Sequence, residues 1–313
     1  MEQELSKIVS AQAPSGVWRR AIVYMVWGAD FIQQAVRSAS SATFMGIPLV
    51  LITDIASQDF IPDKHPFSRI QLVKEFRSKD WLNKSTLADH LPQEFNSFLY
   101  LDSDTVVLKD VTFGFEQAEK HGIAASQATS YCLPSHHEFR RIMLALGLPD
   151  AGQLQYNAGV HFFIRRPDVE AVFRLYQEMA FALSEQFDYK NRANKRTDQP
   201  FLSFAMERLN FNPYTLSINY CYRGLDAEPV CGDIRIWHSH HPVPKNVNQY
   251  ESFAGPRRRY RTGKAIDMRP VYRIHGIMAR LVAFCRHILG KTAANHRRVA
   301  PIPTELGLPS EKA

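Results

Sequence analysis

The segment FLYLDSD, residues 98–104, joins a run of four apolar residues to two carboxylates. In an extended chain, residues i and i+2 point to the same side, so the side chains of Asp102 and Asp104 should lie together. A buried strand that ends in this way delivers its last residues to the carboxyl edge of a sheet, where open α/β sheets bind ligands. Two neighbouring carboxylates repel each other, and a hard divalent cation with oxygen ligands relieves that repulsion. The segment therefore predicts a divalent-metal site at the edge of a buried sheet.

The Asp-x-Asp pair alone is weak support, because a chain with this many aspartates contains roughly one such pair by chance. The neighbouring sequence strengthens the metal prediction, since the apolar run at 98–101 precedes the pair and the run TVVL at 105–108 follows it. A turn with two solvated aspartates is the alternative.

The pattern on both sides of this segment predicts an open, doubly wound α/β sheet. Residues 21–27 and 46–54 are short, almost uninterrupted apolar runs, which is the pattern of buried parallel strands. Between them, Asp30 is a candidate N-cap for a helix over 31–44. We expect further strands over 98–101, 105–108, 121–126, 156–166, 214–220 and 233–239, and further helices over 79–90, 136–147, 168–183 and 197–209.

Composition excludes several classes of protein. Of the 313 residues, 45% are hydrophobic and 22% are charged, as in ordinary globular chains and unlike disordered, collagen-like or coiled-coil chains. The four cysteines form no Cys-x-x-Cys pair and are too few for a disulfide framework, which favours a reducing cytosol. Because the sequence shows no signal-peptide pattern and no apolar stretch of spanning length, we expect a cytoplasmic protein.

Charge divides the chain into a near-neutral body and a basic tail. Residues 251–313 carry 13 Lys/Arg and 4 Asp/Glu, a net charge of +9, whereas the rest carries 25 and 27, a net charge of −2. We therefore predict an N-terminal extension over 1–19, a catalytic domain over 20–250 and a basic tail over 251–313. Within the tail, the spacing of apolar residues predicts an amphipathic helix over 274–289 that binds an anionic membrane surface, on the inner membrane face. Packing of that apolar face on the catalytic domain is the alternative.

Three further segments follow FLYLDSD in order: YNAGVHFF at 156–163, TDQPFL at 197–202 and WHSHHPVPKN at 237–246. Together with YLDSDTVVLKD, they resemble the retaining nucleotide-sugar glycosyltransferases of the family 8 type. The resemblance covers roughly residues 20 to 250. It implies a GT-A-like, open, doubly wound mixed sheet and the transfer of a hexose from a nucleotide-diphosphate sugar.

The resemblance implies a cofactor and its ligands. These are Mn²⁺ or Mg²⁺ bound by Asp102, Asp104 and His238, with His240 as the reserve candidate for the third ligand. The family's late motif is His-x-x-Gly-x-x-Lys-Pro-Trp, and this chain lacks its Gly and its Pro-Trp, so both histidines stay open. Lys245 lies about where the family has a lysine that binds the diphosphate.

The resemblance also implies a donor site, with Asp198 and Gln199 as candidate catalytic residues. The alternative is that Asp198 is only the N-cap of a helix with Pro200 in its first turn. Gly159 lets a ligand approach the backbone closely, and Asn157 offers a donor and an acceptor to sugar hydroxyls. Trp27 would stack on the nucleotide base. Donor contacts are expected for Trp27, Asp30, Lys84, Asp102, Ser103, Asn157, Ala158, Gly159 and Lys245.

The expected function is the metal-dependent transfer of a hexose, from UDP-hexose and with retention, to a carbohydrate or glycolipid acceptor. A sugar-nucleotide nucleotidyltransferase is the first alternative, but the chain lacks the Gly-rich N-terminal phosphate loop of such enzymes. A non-catalytic protein that binds anions or nucleic acid through its basic tail is the second. Because the tail has no ladder of interleaved aromatic residues, we expect no nucleic-acid partner.

Overall fold

The computed structural model of the protein describes residues 17–78, 80–136, 139–148, 152–190, 196–223, 230–245, 247–248 and 252–253. The amphipathic helix predicted over 274–289 lies outside these residues, so the domain division and the membrane contact stay predictions. Among the helices that are described, none combines the length and the apolar character needed to cross a bilayer.

A seven-stranded mixed sheet forms the centre of the described chain, with the strand order β3-β2-β1-β4-β7-β6-β8. Strands β1 to β4 run parallel to one another, whereas β7 runs antiparallel to both β4 and β6. Its strands are β1 (Arg20–Met25), β2 (Leu49–Asp54), β3 (Arg69–Val73), β4 (Ser97–Leu101), β6 (Ile123–Cys132), β7 (Leu154–Ile164) and β8 (Tyr214–Leu216).

Helices cover both faces of this sheet, which explains the uninterrupted apolar strands. Along β1, Ile22 and Tyr24 pack with helix α1 on one face, while Ala21 and Val23 point into the core on the other face. The first face carries α1 and α2, and the second carries α3, α4 and α5. The predicted open, doubly wound mixed sheet is thus confirmed. The helices are α1 (Ala29–Ala42), α2 (Thr112–His121), α3 (Arg140–Ala145), α4 (Pro167–Gln186) and α5 (Gln199–Arg208).

Two short antiparallel pairs lie outside the large sheet: β5 (Thr105–Val107) with β10 (Ile236–His238), and β9 (Val230–Cys231) with β11 (Ser252–Phe253). The first pair matters for the site, because its register sets His238 opposite Thr105. It thereby brings the late histidine segment beside the turn that follows β4.

Some local predictions were wrong. The N-cap of α1 is Gly28, with a φ of 80°, and its N–H donates to the Ser57 hydroxyl at 2.8 Å. Asp30 therefore does not cap this helix but lies exposed in its first turn, where a carboxylate still interacts favourably with the helix dipole. The helix expected over 79–90 is a 3₁₀ segment over Trp81–His90. Strand β3 was not predicted.

His161 gives the fold a dependence on pH. It lies on β7, is 3% exposed, and has the rings of Tyr100, Phe163 and Phe173 around it at centroid distances of 5.2, 5.4 and 5.9 Å. Burial lowers the pKa of its imidazole to about 4. In the unfolded chain His161 takes up a proton near pH 6.5, whereas in the native chain it does so only near pH 4. The free energy of unfolding should therefore fall as pH falls through this window.

We expect the wild-type protein to lose about 2 kcal/mol of stability through this residue between pH 7.5 and pH 5. His161→Phe keeps an aromatic ring in the same ring cluster but removes the titrating group. Between the same two pH values, the variant should therefore lose about 2 kcal/mol less stability than the wild type. Urea unfolding of both proteins at the two pH values measures the difference. Equal losses in the two proteins would show that His161 is not held neutral in the native state.

Candidate metal centre

Three side chains from separate strand ends converge at the carboxyl edge of the sheet. Asp102 directly follows β4, Asp104 directly precedes β5, and His238 ends β10. His238 Nε2 lies 3.3 Å from Asp104 Oδ1 and 3.7 Å from Asp102 Oδ2. Each residue offers one ligand atom, and these atoms lie within 4.8 Å of one another. The described residues thus contain a group that could hold a metal ion, made of the predicted carboxylate pair and one imidazole.

Hydrogen bonds to helix α1 and strand β7 fix the turn that carries the two carboxylates. The hydroxyl of Thr105 donates to the carbonyl of Asp102 at 2.8 Å and shares a hydrogen bond of 2.7 Å with Ser38 of α1. Ser103 donates to the Gln34 side chain of the same helix at 3.2 Å. On the other side, the Asp102 N–H donates to the Gly159 carbonyl at 2.7 Å. The carboxylates are therefore positioned by secondary structure on two sides.

The environment of His238 makes it the better third ligand of the two histidines. Its side chain is buried, and Cys221 Sγ lies 3.4 Å from its Nδ1, which leaves Nε2 directed at the carboxylates. His240 lies 3.5 Å from Asp104, but its side chain is 80% exposed. His241 is exposed, and its carbonyl accepts a hydrogen bond from Trp237. The geometry favours His238, and its role as a ligand stays a prediction.

The chain's own cations neutralise much of the expected repulsion between the carboxylates. Burial opposes the charged form of His238, but Asp104 and Cys221 together outweigh burial and raise the pKa of the imidazole to about 10. Burial likewise opposes the charge on Asp104, and His238 outweighs it, so the pKa of this carboxyl is lowered. In the metal-free chain the two side chains therefore form an ion pair, and a metal ion would take the place of the imidazole proton.

Lys84 supplies the second cation. Its Nζ donates to both oxygens of Asp102, at 3.0 and 3.1 Å, and lies 3.6 Å from Asp198 Oδ1. Burial opposes its charge, yet the two carboxylates, Asp102 foremost, raise the pKa of the ammonium above its ordinary value. Lys84, one of the expected donor contacts, thus lies inside the site, where it links the carboxylate that follows β4 to the one that precedes α5.

These groups line one cleft with a cavity volume of about 240 Å³. The cleft brings together nine residues that the sequence singled out, namely Trp27, Lys84, Asp102, Ser103, Asp104, Asp198, Gln199, His238 and His240. Sequence reasoning missed other lining residues, for which no local motif gave a signal. They include Phe31, Gln34, Trp81, His136 and Arg223.

The remaining predicted donor residues do not line the cleft. Asp30 and Lys245 are exposed, and neither belongs to the residues that line the cleft. Asn157 and Ala158 are buried in β7, where Asn157 Oδ1 accepts the Gly159 N–H at 2.8 Å. Among the described residues, the Asn157 side-chain nitrogen has no hydrogen-bond partner. Gly159 does allow a close approach, but the groups that approach it are metal-site side chains of this chain.

Comparison with known proteins gives likenesses among solved structures. No protein-family model matches the chain, and no curated protein sequence matches it. Among solved structures, the chain is similar to the crystal structure of mouse xyloside xylosyltransferase 1 in its apo form, at 13% sequence identity and a TM-score of 0.48. The match covers 72% of this chain and 99% of that chain. Neither family nor activity follows from a likeness at this level.

Gly159→Ala should abolish metal binding. A Cβ at this position would meet the Asp102 carboxylate and would lie 2.6 Å from His238 Cε1, so both ligands would have to move. Titration with Mn²⁺ measures the effect. Gly114→Ala is the matched control, because its Cβ would instead meet the buried ring of Phe162, and it should lower the melting temperature without changing Mn²⁺ affinity. Unchanged affinity in Gly159→Ala would contradict the metal site.

His238→Ala should weaken Mn²⁺ binding by more than about 100-fold, since the loss of even an outer-shell partner costs 10- to 100-fold. The substitutions His240→Ala and His241→Ala, at exposed side chains, should change affinity by less than about tenfold. Binding measured at neutral pH compares the three variants directly. Equal effects would mean that the loop only supports the site and that His238 is not a ligand.

Proposed function

We propose that the protein is a glycosyltransferase that moves a hexose from a nucleotide-diphosphate sugar, UDP-hexose, to an acceptor hydroxyl in glycan or glycolipid synthesis. The observation that carries this proposal is the convergence of Asp102, Asp104 and His238 in one cleft with the ammonium of Lys84. Carboxylate oxygens suit both Mg²⁺ and Mn²⁺, and the single imidazole favours Mn²⁺. A divalent cation bound there would neutralise charge on the departing diphosphate.

The residues of the cleft suit the other parts of such a donor. Trp27 is half-buried in the cleft wall and offers an aromatic surface to the nucleotide base. Lys84 keeps its positive charge inside the cleft, where it would attract the diphosphate. Asp198 and Gln199 open helix α5 at the cleft and are the proposed catalytic residues at the donor sugar. The resemblance noted in the sequence supports retention of configuration.

A carbohydrate or glycolipid is the proposed acceptor. The support for a glycolipid is the net charge of +9 on residues 251–313, which would bring the protein to an anionic membrane surface. This membrane contact is supported by the sequence alone.

The wild-type protein should release nucleoside diphosphate from one member of a panel of nucleotide sugars, and only when Mn²⁺ or Mg²⁺ is present. Asp104→Asn should lower this release by at least about 100-fold, because it removes a metal ligand that carries charge. Asp233→Asn is the control, since Asp233 pairs with Lys109 at 3.5 Å on the surface. Metal-independent release, or full release by Asp104→Asn, would refute the proposed function.

A further inference from the structure

Asp198 occupies a helix start but does not cap it. Helix α5 begins at Gln199, and the Asp198 side chain makes no capping hydrogen bond. A capping carboxylate would accept the N–H of the second or third helical residue. The second is Pro200, which has no N–H, and the N–H of the third, Phe201, donates to the Asp198 carbonyl at 3.0 Å. The carboxylate is thus left for other partners, although its position in the sequence predicts a cap.

Tyr176 of helix α4 donates a hydrogen bond to one oxygen of this carboxylate. Its hydroxyl donates to Asp198 Oδ2 at 2.5 Å, and the two residues are 2% and 1% exposed. That distance is typical of a hydrogen bond from a hydroxyl to a charged carboxylate. Because both side chains are buried and the bond joins two packed helices, the carboxylate of Asp198 is held in one orientation.

The other oxygen of Asp198 faces the cleft. Oδ1 lies 3.6 Å from Lys84 Nζ, and both Asp198 and Lys84 line the cleft, whereas Tyr176 does not. Tyr176 therefore decides which oxygen of Asp198 a bound substrate would meet. This role could not be predicted from the sequence, since Tyr176 falls on the apolar face of an amphipathic helix.

A second tyrosine makes a similar hydrogen bond to Asp102. The Tyr100 hydroxyl donates to Asp102 Oδ1 at 3.0 Å, and Oδ2 is the oxygen that lies 3.7 Å from His238 Nε2. Each of the two carboxylates that share Lys84 thus has one oxygen held by a tyrosine and one oxygen turned toward the site. The two tyrosines are fully buried, one on strand β4 and one on helix α4.

We propose that Tyr176 is a positioning residue for sugar transfer, which acts by fixing Asp198 so that Oδ1 faces the donor sugar. Tyr100 has the corresponding effect on Asp102, toward the metal. This inference rests on the proposed function. It matters for rate because a small misplacement of a reacting group can cost a large factor in turnover.

Removal of single hydroxyl groups separates the two roles. Tyr176→Phe should lower turnover at saturating donor by at least about tenfold, yet keep Mn²⁺ affinity within about twofold of wild type. Tyr100→Phe should weaken Mn²⁺ binding by about tenfold. Tyr189→Phe is the structural control, because its buried hydroxyl donates to the backbone carbonyl of His136 at 3.1 Å and touches no carboxylate. It should change melting temperature alone.

A double-mutant cycle with Tyr176→Phe and Asp198→Asn in urea unfolding tests the contact without any substrate. We expect the two substitutions to be coupled by at least about threefold in the unfolding constant. Additive effects would overturn the inference, as would wild-type turnover by Tyr176→Phe or a loss of Mn²⁺ affinity equal to that of Tyr100→Phe. If the wild-type protein turns over no donor, the proposed function fails first and this inference fails with it.

Discussion

A largely buried ammonium between two carboxylates is the interaction on which the site depends. Lys84 contacts Asp102 at the end of β4 and approaches Asp198 at the start of α5, so one charge joins both halves of the cleft. Buried carboxylates are costly unless they are paired and hydrogen-bonded. Here each of the two contacts the lysine and accepts a hydrogen bond from a tyrosine hydroxyl. These contacts link the 3₁₀ segment over Trp81–His90, β4, α4 and α5 through polar side chains as well as through the apolar core.

The sequence predicted those parts of the fold whose burial is complete. Strands β1, β2 and β4 are buried on both faces, and their uninterrupted apolar runs identify them. Strand β3 was not predicted because it is an edge strand and most of its residues are partly or fully exposed, so it lacks such a run. The cap of α1 was predicted wrongly because Gly28 has a positive φ and the helix begins directly after it, so Asp30 already lies within the first turn.

For the candidate site too, residues that lie close together in the sequence could be predicted, and residues brought together by the fold could not. Asp102 and Asp104 could be found from one heptapeptide, since their proximity follows from strand geometry. His238 could not, because only the pairing of β5 with β10 brings it to them, and resemblance alone suggested it. Tyr100 and Tyr176 were hidden for another reason: a buried tyrosine looks like core in any sequence, and its hydroxyl partner depends on how the helices pack.

The glycine beneath the metal group has a mechanical consequence. Gly159 lies in the longest strand, β7, which runs between β4 and β6 inside the sheet. Two of the three candidate ligands, Asp102 and His238, therefore lie directly against backbone that has neighbours on both sides, which limits how far they can move toward β7. Sites built on strands hold their geometry more closely than sites on loops. An opening that admits a substrate would then involve the other walls of the cleft, where Trp81, His136 and Arg223 lie outside the strands of the sheet.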